Sequence, residues 1–259
     1  MKKYLVIITA VIMVLMLSAC GSSGSQEQGA SQESEQEQAT SVEPVETEES
    51  GTTEEAVHPY AWLGLQDIPE CSYLDNLAAN HYYKESDVYV KGLSYVDEEV
   101  NAVDGINTYK KNASTLSYSI DGMITAINEA GKYYMETDMT DMAETSAQQY
   151  KEAMENGTNL LGREFREQGS GTIPVYGDNK GDKDEYEYYE YHYPALESEG
   201  NSYTERFYLK DGDVFAIYNK TVWGDTVIES TEIIKKMTGD IPEGTFDLPD
   251  LSGYEKKDI

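Results

Sequence analysis

The chain has 259 residues, of which 49 are acidic and 19 basic, giving a formal net charge of −30 at pH 7. A chain this acidic is repelled by phosphate groups, which excludes nucleic-acid binding, and anionic lipid headgroups repel it unless something tethers it. Only 39% of the residues are hydrophobic even when the 22 tyrosines are counted, so tyrosine must supply much of the core. The length suits one large domain or two small ones.

The first twenty residues have the pattern of a signal peptide. Lys2 and Lys3 precede an apolar run over residues 4–17, which is too short to span a bilayer as a helix. The run ends in Leu-Ser-Ala-Cys at residues 17–20, which resembles the lipobox of bacterial lipoproteins. The resemblance implies a signal peptide over residues 1–19, a lipid on Cys20 after cleavage, and attachment to the extracytoplasmic face of the bacterial cell membrane. The alternative is an ordinary secretory signal in which Cys20 is incidental.

A low-complexity segment follows, and with Cys20 it makes up residues 20–57. Residues 21–57 hold ten Glu and no Lys, Arg or aromatic residue, so they bury too little apolar surface to order themselves. As a flexible coil, 37 residues span about 30–37 Å, and repulsion between the glutamates extends them further. This composition predicts a disordered acidic tether that acts as a spacer, with a binding segment as the alternative.

The remaining residues, 58–259, are predicted to form the folded domain. Because the signal holds two Lys and the tether ten Glu, this part retains 39 acidic and 17 basic residues, a net charge of −22. If Cys20 is acylated, Cys71 is the one thiol left and no intramolecular disulfide forms. Cys71 is predicted to be a small buried hydrophobe, and the alternative is a catalytic nucleophile.

Three Asp-Gly pairs, at residues 104–105, 121–122 and 211–212, predict hairpin turns between alternating segments. The second turn gives one largely apolar face, as a half-buried hairpin requires. It places these residues opposite each other: Ile120 with Met123, Tyr118 with Thr125, and Leu116 with Ile127. The third turn places Phe207 opposite Ala216 and Tyr208 opposite Phe215.

One helix is predicted over about residues 141–155. Asp141 and Glu144 have the spacing of a capping box, and Asn156-Gly157 ends the helix. Its core-facing stripe, at helical spacing, is Ala143, Ala147, Tyr150 and Met154. Further strands are predicted at 133–139, 159–168, 184–193 and 221–237, with a loop at 177–183 and an extended tail from 242. The pattern indicates an α+β fold that is mainly antiparallel β.

A family resemblance rests on motifs spread over residues 60–255. An Ile68-Pro69 segment leads into the strands, a hairpin strand follows at 131–136, Arg206-Phe207-Tyr208 lies in a later strand, and Phe-x-Leu-Pro at 246–249 ends the domain. This order resembles the LolA/LolB-like half-barrel of small extracytoplasmic lipoproteins. The resemblance implies a curved sheet or half-barrel with one or two helices around an apolar cavity, in a superfamily whose better-known members carry lipids or lipoproteins. No functional residue matches position by position, so none is carried over.

Tyrosine density is the most unusual local feature, with five tyrosines between residues 186 and 193. One interpretation is that tyrosine is a good strand former with an amphipathic ring. The functional interpretation is an aromatic groove for an acyl chain, a sugar or a peptide. Its candidate ligand-binding residues are Tyr186, Tyr188, Tyr191, Tyr193, Phe207 and Phe215. His192 is interpreted as a strand-surface residue, and Trp62 and Trp223 as packing residues.

Catalytic and metal motifs are missing from the sequence. His58, His81 and His192 stand apart, so no zinc spacing occurs, and residues 178–184 fail the calcium-loop pattern. We therefore predict no enzyme activity, no cofactor and no metal, and a lipoprotein that binds a hydrophobic or amphipathic ligand. Two alternatives stay open: a cell-envelope interaction or structural lipoprotein that uses its acidic surface, and a hydrolase of envelope polymers. The protein partner is not predicted.

Overall fold

The folded part is built on one open, curved sheet of twelve strands. The computed structural model describes residues 57–178 and 180–258; the predicted signal peptide, Cys20 and the predicted tether up to residue 56 lie outside the described residues. The strands are β1 (His81–Val90), β2 (Val96–Asp104), β3 (Asn107–Lys111), β4 (Thr115–Ile120), β5 (Met123–Asn128), β6 (Tyr133–Asp138), β7 (Glu164–Gly171), β8 (Tyr186–His192), β9 (Ser202–Lys210), β10 (Asp213–Trp223), β11 (Thr226–Thr238) and β12 (Glu255–Lys256). The helices are α1 (Ser72–Ala78), α2 (Thr140–Asn156) and the single turn α3 (Pro194–Glu197), and a 3₁₀ turn spans Ala61–Leu63.

Two meanders make up the sheet. Strands β1 to β6 follow one another on one side, β7 to β11 follow one another on the other side, and β1 pairs with β11 where the two meanders meet. All neighbouring pairs are antiparallel except β12, which lies parallel to β6. The segment that contains α2 therefore connects β6, near one edge, to β7 at the opposite edge. The predicted fold class, α+β with mainly antiparallel β structure, is confirmed.

The predicted hairpin at residues 121–122 has the expected register. The three cross-strand pairs between β4 and β5 are those that the alternation predicted. The turn at 104–105 is also a hairpin, but Asp104 pairs with Asn107, so its two loop residues are Gly105 and Ile106. The stretch 221–237, predicted as one strand, contains a turn at residues 224–225 between β10 and β11.

In the hairpin of β9 and β10, whose turn is at residues 211–212, the cross-strand pairs beyond the first two are displaced by one residue from those predicted. Val214 pairs with Leu209 as a regular hairpin requires, but the next pair is Ala216 with Tyr208. Phe215 is the extra residue of a β-bulge and Phe207 lies opposite Ile217. The bulge allows Phe215 and Ala216 to pack on the same face of the sheet, where the ring of Phe215 lies 4.7 Å from that of Tyr186.

Helix α2 ends as predicted but begins differently. Gly157 follows its last residue with a left-handed φ of 65°, the usual helix stop. The predicted capping box of Asp141 and Glu144 is wrong, since the helix begins one residue earlier, at Thr140. The carboxylate of Asp138 accepts hydrogen bonds from the backbone N of Thr140 at 3.0 Å and from its Oγ1 at 2.7 Å.

Packing distinguishes the two faces of the sheet. The helical face carries the largest cluster, in which α1, α2 and the 3₁₀ turn cover β8 to β11. Its buried members are Tyr60, Trp62, Leu63, Leu65, Ile68, Cys71, Tyr73, Leu74, Ala153, Tyr189, Tyr191, Phe207, Leu209, Val214 and Ile217.

The opposite face, which we call the loop face, is covered at two places. The segment after β7 packs Ile173 and Val175 over Tyr208, Ala216 and Tyr218. The C-terminal segment packs Leu251 and Tyr254 against a second cluster, formed by Leu116, Tyr118 and Ile127. The whole sheet and all three clusters lie within residues 57–258, so this part has a complete core and folds as a unit.

Candidate ligand cavity

A cavity of about 520 Å³ lies between α2 and the turn that joins β2 to β3. It is a groove that is wide open to solvent, and its accessible surface is mainly apolar. Helix α2 contributes Ala147, Tyr150, Lys151, Met154 and Glu155, and the sheet side contributes Asn80 and residues 104–106. A cavity of this size and character suits part of a small apolar or amphipathic molecule.

The α2 wall follows from helical spacing. Ala147, Tyr150 and Met154 are three and four residues apart, so their side chains lie along one side of the helix. The ring of Tyr150 packs edge-on against Trp62, with centroids 5.9 Å apart. Ala153, which the predicted stripe does not include, is buried in the helical-face cluster. Tyr150 and Met154 of the predicted stripe pack against that cluster and also line the cavity.

The sheet-side wall is held by backbone hydrogen bonds. Asn80 follows α1 with a left-handed φ of 49°. Its carbonyl accepts from the N of Gly105 at 3.0 Å, and its side-chain Nδ2 donates to the carbonyl of Gly105 at 3.1 Å. At the base of the same turn, Nδ1 of His81 lies 2.9 Å from a carboxylate oxygen of Asp104. These contacts fix the β2–β3 turn opposite α2.

Buried ion pairs lie on the helical face beside the apolar cluster. Nζ of Lys84 lies 2.7 Å from Oε1 of Glu232, and both side chains are largely buried. Burial favours the neutral form of each group, but their mutual attraction outweighs it, so the pKa of Lys84 is raised and that of Glu232 is lowered. Tyr73 and Tyr82 lie close to this pair, and burial raises the pKa of each.

A second ion pair lies further along the same face. Nη2 of Arg163 lies 3.3 Å from Oε2 of Glu205, and the hydroxyl of Tyr193 donates to the same carboxylate oxygen at 2.8 Å. Burial opposes the charge of Arg163, and the attraction of Glu205 outweighs it and raises the pKa of the guanidinium. These pairs and the helical-face cluster pack over the sheet beside the cavity, which lies on the α2 and β2–β3 side.

The six predicted ligand-binding residues do not come together in one groove. Tyr191 and Phe207 are buried in the helical-face cluster, and Tyr193 lies on that face beside Glu205. Tyr186, Tyr188 and Phe215 pack on the loop face. Strand alternation divides the tyrosine-rich strand in this way, because successive residues point to opposite faces. None of the six lines the cavity.

Three single-residue predictions have clear outcomes. Cys71 is buried and burial raises the pKa of its thiol, so the prediction of a small core hydrophobe is confirmed. Trp62 is 5% exposed and packs as predicted. Trp223 is 56% exposed at the tip of the β10–β11 hairpin, so the packing role predicted for it is wrong.

Comparison with known proteins gives no identification. The chain matches no protein-family model, and no curated protein matches its sequence. Within residues 57–178 and 180–258, no helix is both long and apolar enough to cross a membrane.

Proposed function

We propose that this protein is a lipid-anchored lipoprotein on the extracytoplasmic face of the cell membrane that binds an apolar or amphipathic ligand and does not catalyse a reaction. The cavity of about 520 Å³ between α2 and the β2–β3 turn carries the proposal. Three side chains of one helix, Ala147, Tyr150 and Met154, supply its apolar wall. The curved antiparallel sheet with a helix over one face supports the LolA-like interpretation, and Leu-Ser-Ala-Cys at 17–20 supports the anchor.

Ligand binding is tested with a neutral fluorescent probe, N-phenyl-1-naphthylamine, titrated into the domain of residues 57–259. We expect the probe to bind and its emission to rise. The substitution Ala147→Phe places a ring inside the cavity and should weaken binding about tenfold or more, equivalent to about 1.4 kcal/mol. Thr145→Phe, at an exposed position on the side of the same helix that faces away from the cavity, is the matched control and should bind as the unsubstituted domain does. Equal affinity in both variants would refute the cavity as the binding site.

The anchor is tested separately on the full chain. In bacteria that process lipoproteins, the full chain should incorporate labelled palmitate and fractionate with membranes, and its mature form should begin at Cys20. Cys20→Ala should abolish the label and leave the chain unprocessed. An unlabelled chain cleaved at another position would favour the ordinary secretory signal.

A second candidate function follows from the charge of the domain. Residues 58–259 carry a net charge of −22, which favours contact with a basic component of the cell envelope. This function predicts a captured partner that is released as salt rises from about 0.01 to about 0.3 M, because the Debye length falls from about 30 Å to below 10 Å. Capture that is insensitive to salt would count against it.

A further inference from the structure

Two hairpin tips lie side by side at the end of the sheet opposite the cavity. Because β1 pairs with β11, the β1–β2 turn is brought next to the β10–β11 turn. Val90 is paired with Ser230, and the backbone N of Lys91 donates to the carbonyl of Glu229 at 2.9 Å. We define the tip surface as residues 90–96 and 222–227.

Large apolar side chains are exposed on the tip surface. Tyr95 is 57% exposed, Val96 42%, Trp223 56% and Val227 54%. Nine large hydrophobic residues are exposed in the described part of the chain, and these four belong to two adjacent turns. Strand alternation puts Val96 and Val227 on the loop face and Trp223 on the helical face, so exposed apolar side chains lie on both sides of the two tips. Apolar residues concentrated at one end of a domain mark an interaction surface, whereas scattered single residues do not.

The tip surface differs in charge from the rest of the domain. Of its thirteen residues, only Lys91 and Asp225 are charged, so its formal net charge is zero, against −22 for residues 58–259. Nζ of Lys91 also lies 2.7 Å from a carboxylate oxygen of Glu229. The tips can therefore approach an anionic lipid surface more closely than an acidic part of the domain could.

We propose that the tip surface docks onto the lipid–water interface of the membrane to which the protein is anchored. Tryptophan and tyrosine favour this interface, because their rings are amphipathic, and Val96 and Val227 add apolar area beside them. The proposed anchor at Cys20 keeps the domain within reach, since a coil of residues 21–57 spans about 30–37 Å. The docking thus rests on the anchor of the proposed function and not on its ligand.

Docking at the tips leaves the cavity free. Strand β2 runs from Val96 at the tip surface to Asp104 at the cavity. These nine residues are separated by eight steps of about 3.3 Å, so roughly 26 Å lies between the two. The proposed membrane contact and the proposed ligand site therefore do not compete for the same residues.

The test measures where Trp223 lies in the full, acylated chain. The chain carries Trp62→Phe, which leaves Trp223 as its one tryptophan. It is reconstituted into vesicles of phosphatidylcholine and phosphatidylglycerol, with or without bromine on the acyl chains. We expect brominated lipid to quench the Trp223 emission, which should also shift to shorter wavelength on vesicle binding. If Trp62→Phe fails to fold, the difference in signal between the unsubstituted chain and Trp223→Phe gives the same quantity.

Controls separate docking from anchoring. Tyr95→Asp combined with Val227→Asp should abolish the quenching while the chain still floats with the vesicles. Leu248→Asp, at an exposed apolar residue elsewhere, should leave it unchanged. A chain that floats with Trp223 unquenched overturns the docking alone. If the Trp223 emission instead shifts with protein concentration, the tip surface binds a second copy of the chain and the membrane docking is overturned. A chain that does not float with the vesicles overturns both the docking and the anchor.

Discussion

At the residue scale, tyrosine takes the place of much of the aliphatic core. Three of the largest fully buried side chains are Tyr60, Tyr191 and Tyr208. Several ring hydroxyls donate to carboxylates: Tyr60 to Asp75 at 2.6 Å is one example. An acidic chain has many carboxylates available for this purpose, so a tyrosine-rich sheet and an excess of Asp and Glu are compatible in one core.

Burial of tyrosine gives the domain a specific sensitivity to alkaline pH. Burial raises the pKa of Tyr118 and of Tyr189 to about 12, from 10.0 in water. A group whose pKa is raised on folding stabilises the folded state fully below its unfolded pKa. That contribution is lost as the pH rises from about 10 to about 12.

We expect the free energy of unfolding of the domain to fall between pH 9 and pH 11.5. In Tyr118→Phe, which has no hydroxyl to ionise, the fall should be smaller. Urea unfolding at several pH values measures both. Tyr95→Phe, at an exposed position, is the control and should follow the unsubstituted domain. A Tyr118→Phe domain with the same alkaline loss would contradict the argument.

Site residues could be predicted only where they share one element. Ala147, Tyr150 and Met154 recur at helical spacing, so the sequence predicted their common side of α2. Asn80 and Ile106 reach the cavity from a post-helix turn and a hairpin loop, and no local pattern links them to α2. The packing role predicted for Trp223 is wrong because a two-residue turn places this residue at an exposed tip.

At the element scale, the Asp-Gly turns provide a matched pair of positions. Gly122 and Gly212 follow Asp121 and Asp211, and both have left-handed φ angles, 84° and 83°. They differ in surroundings: a Cβ on Gly122 would lie 2.5 Å from Cα of Thr140, whereas one on Gly212 would meet nothing within 4 Å. The β4–β5 turn therefore packs directly under the start of α2.

Gly122→Ala and Gly212→Ala should separate backbone strain from packing. Each should cost about 1–2 kcal/mol, because alanine is disfavoured at a left-handed φ. Gly122→Ala should cost about 1–3 kcal/mol more, since the new methyl group collides with α2. Urea unfolding of the two variants gives the difference. Equal losses of unfolding free energy in the two variants would show that the start of α2 moves aside without an energetic cost.

Short sequence patterns predicted individual turns and helix ends better than they predicted contacts between distant strands. The hairpin at 121–122 and the end of α2 depend on neighbours in sequence, and both are confirmed. The bulge at Phe215 places its ring against Tyr186 of β8, a contact between distant parts of the chain that the alternation of one strand does not reveal. Helix α1 is only seven residues long and has little periodicity of its own. It is held by tertiary contacts, such as the hydrogen bond from the N of Tyr73 to Asp213 at 3.0 Å.

At the scale of the whole molecule, like charges oppose folding. Residues 58–259 hold 39 acidic and 17 basic residues, and folding brings the excess carboxylates closer together. Salt screens this repulsion, because the Debye length is about 30 Å at 0.01 M and about 10 Å at 0.1 M.

We expect the urea midpoint of the domain to rise when NaCl is increased from about 0.01 to about 0.3 M. Sucrose at matched osmolality controls for general solute effects and should reproduce little of the salt dependence at these concentrations. A midpoint that falls with salt would mean that the ion pairs, such as Lys84 with Glu232, stabilise the fold more than the excess charge destabilises it.

The pairing of β1 with β11 also affects how the chain avoids association with its neighbours while it folds. About 140 residues separate these strands, so β1 is available for pairing before its partner is in place. During that time the first meander has a ten-residue edge with unpaired backbone groups, which invites pairing with other chains. Lys84 and Asp87 place charges along this edge. These two charges disfavour pairing of the edge with other chains before β11 is in place. Once β11 has paired with β1, Lys84 forms an ion pair with Glu232, and Asp87 forms one with Lys235.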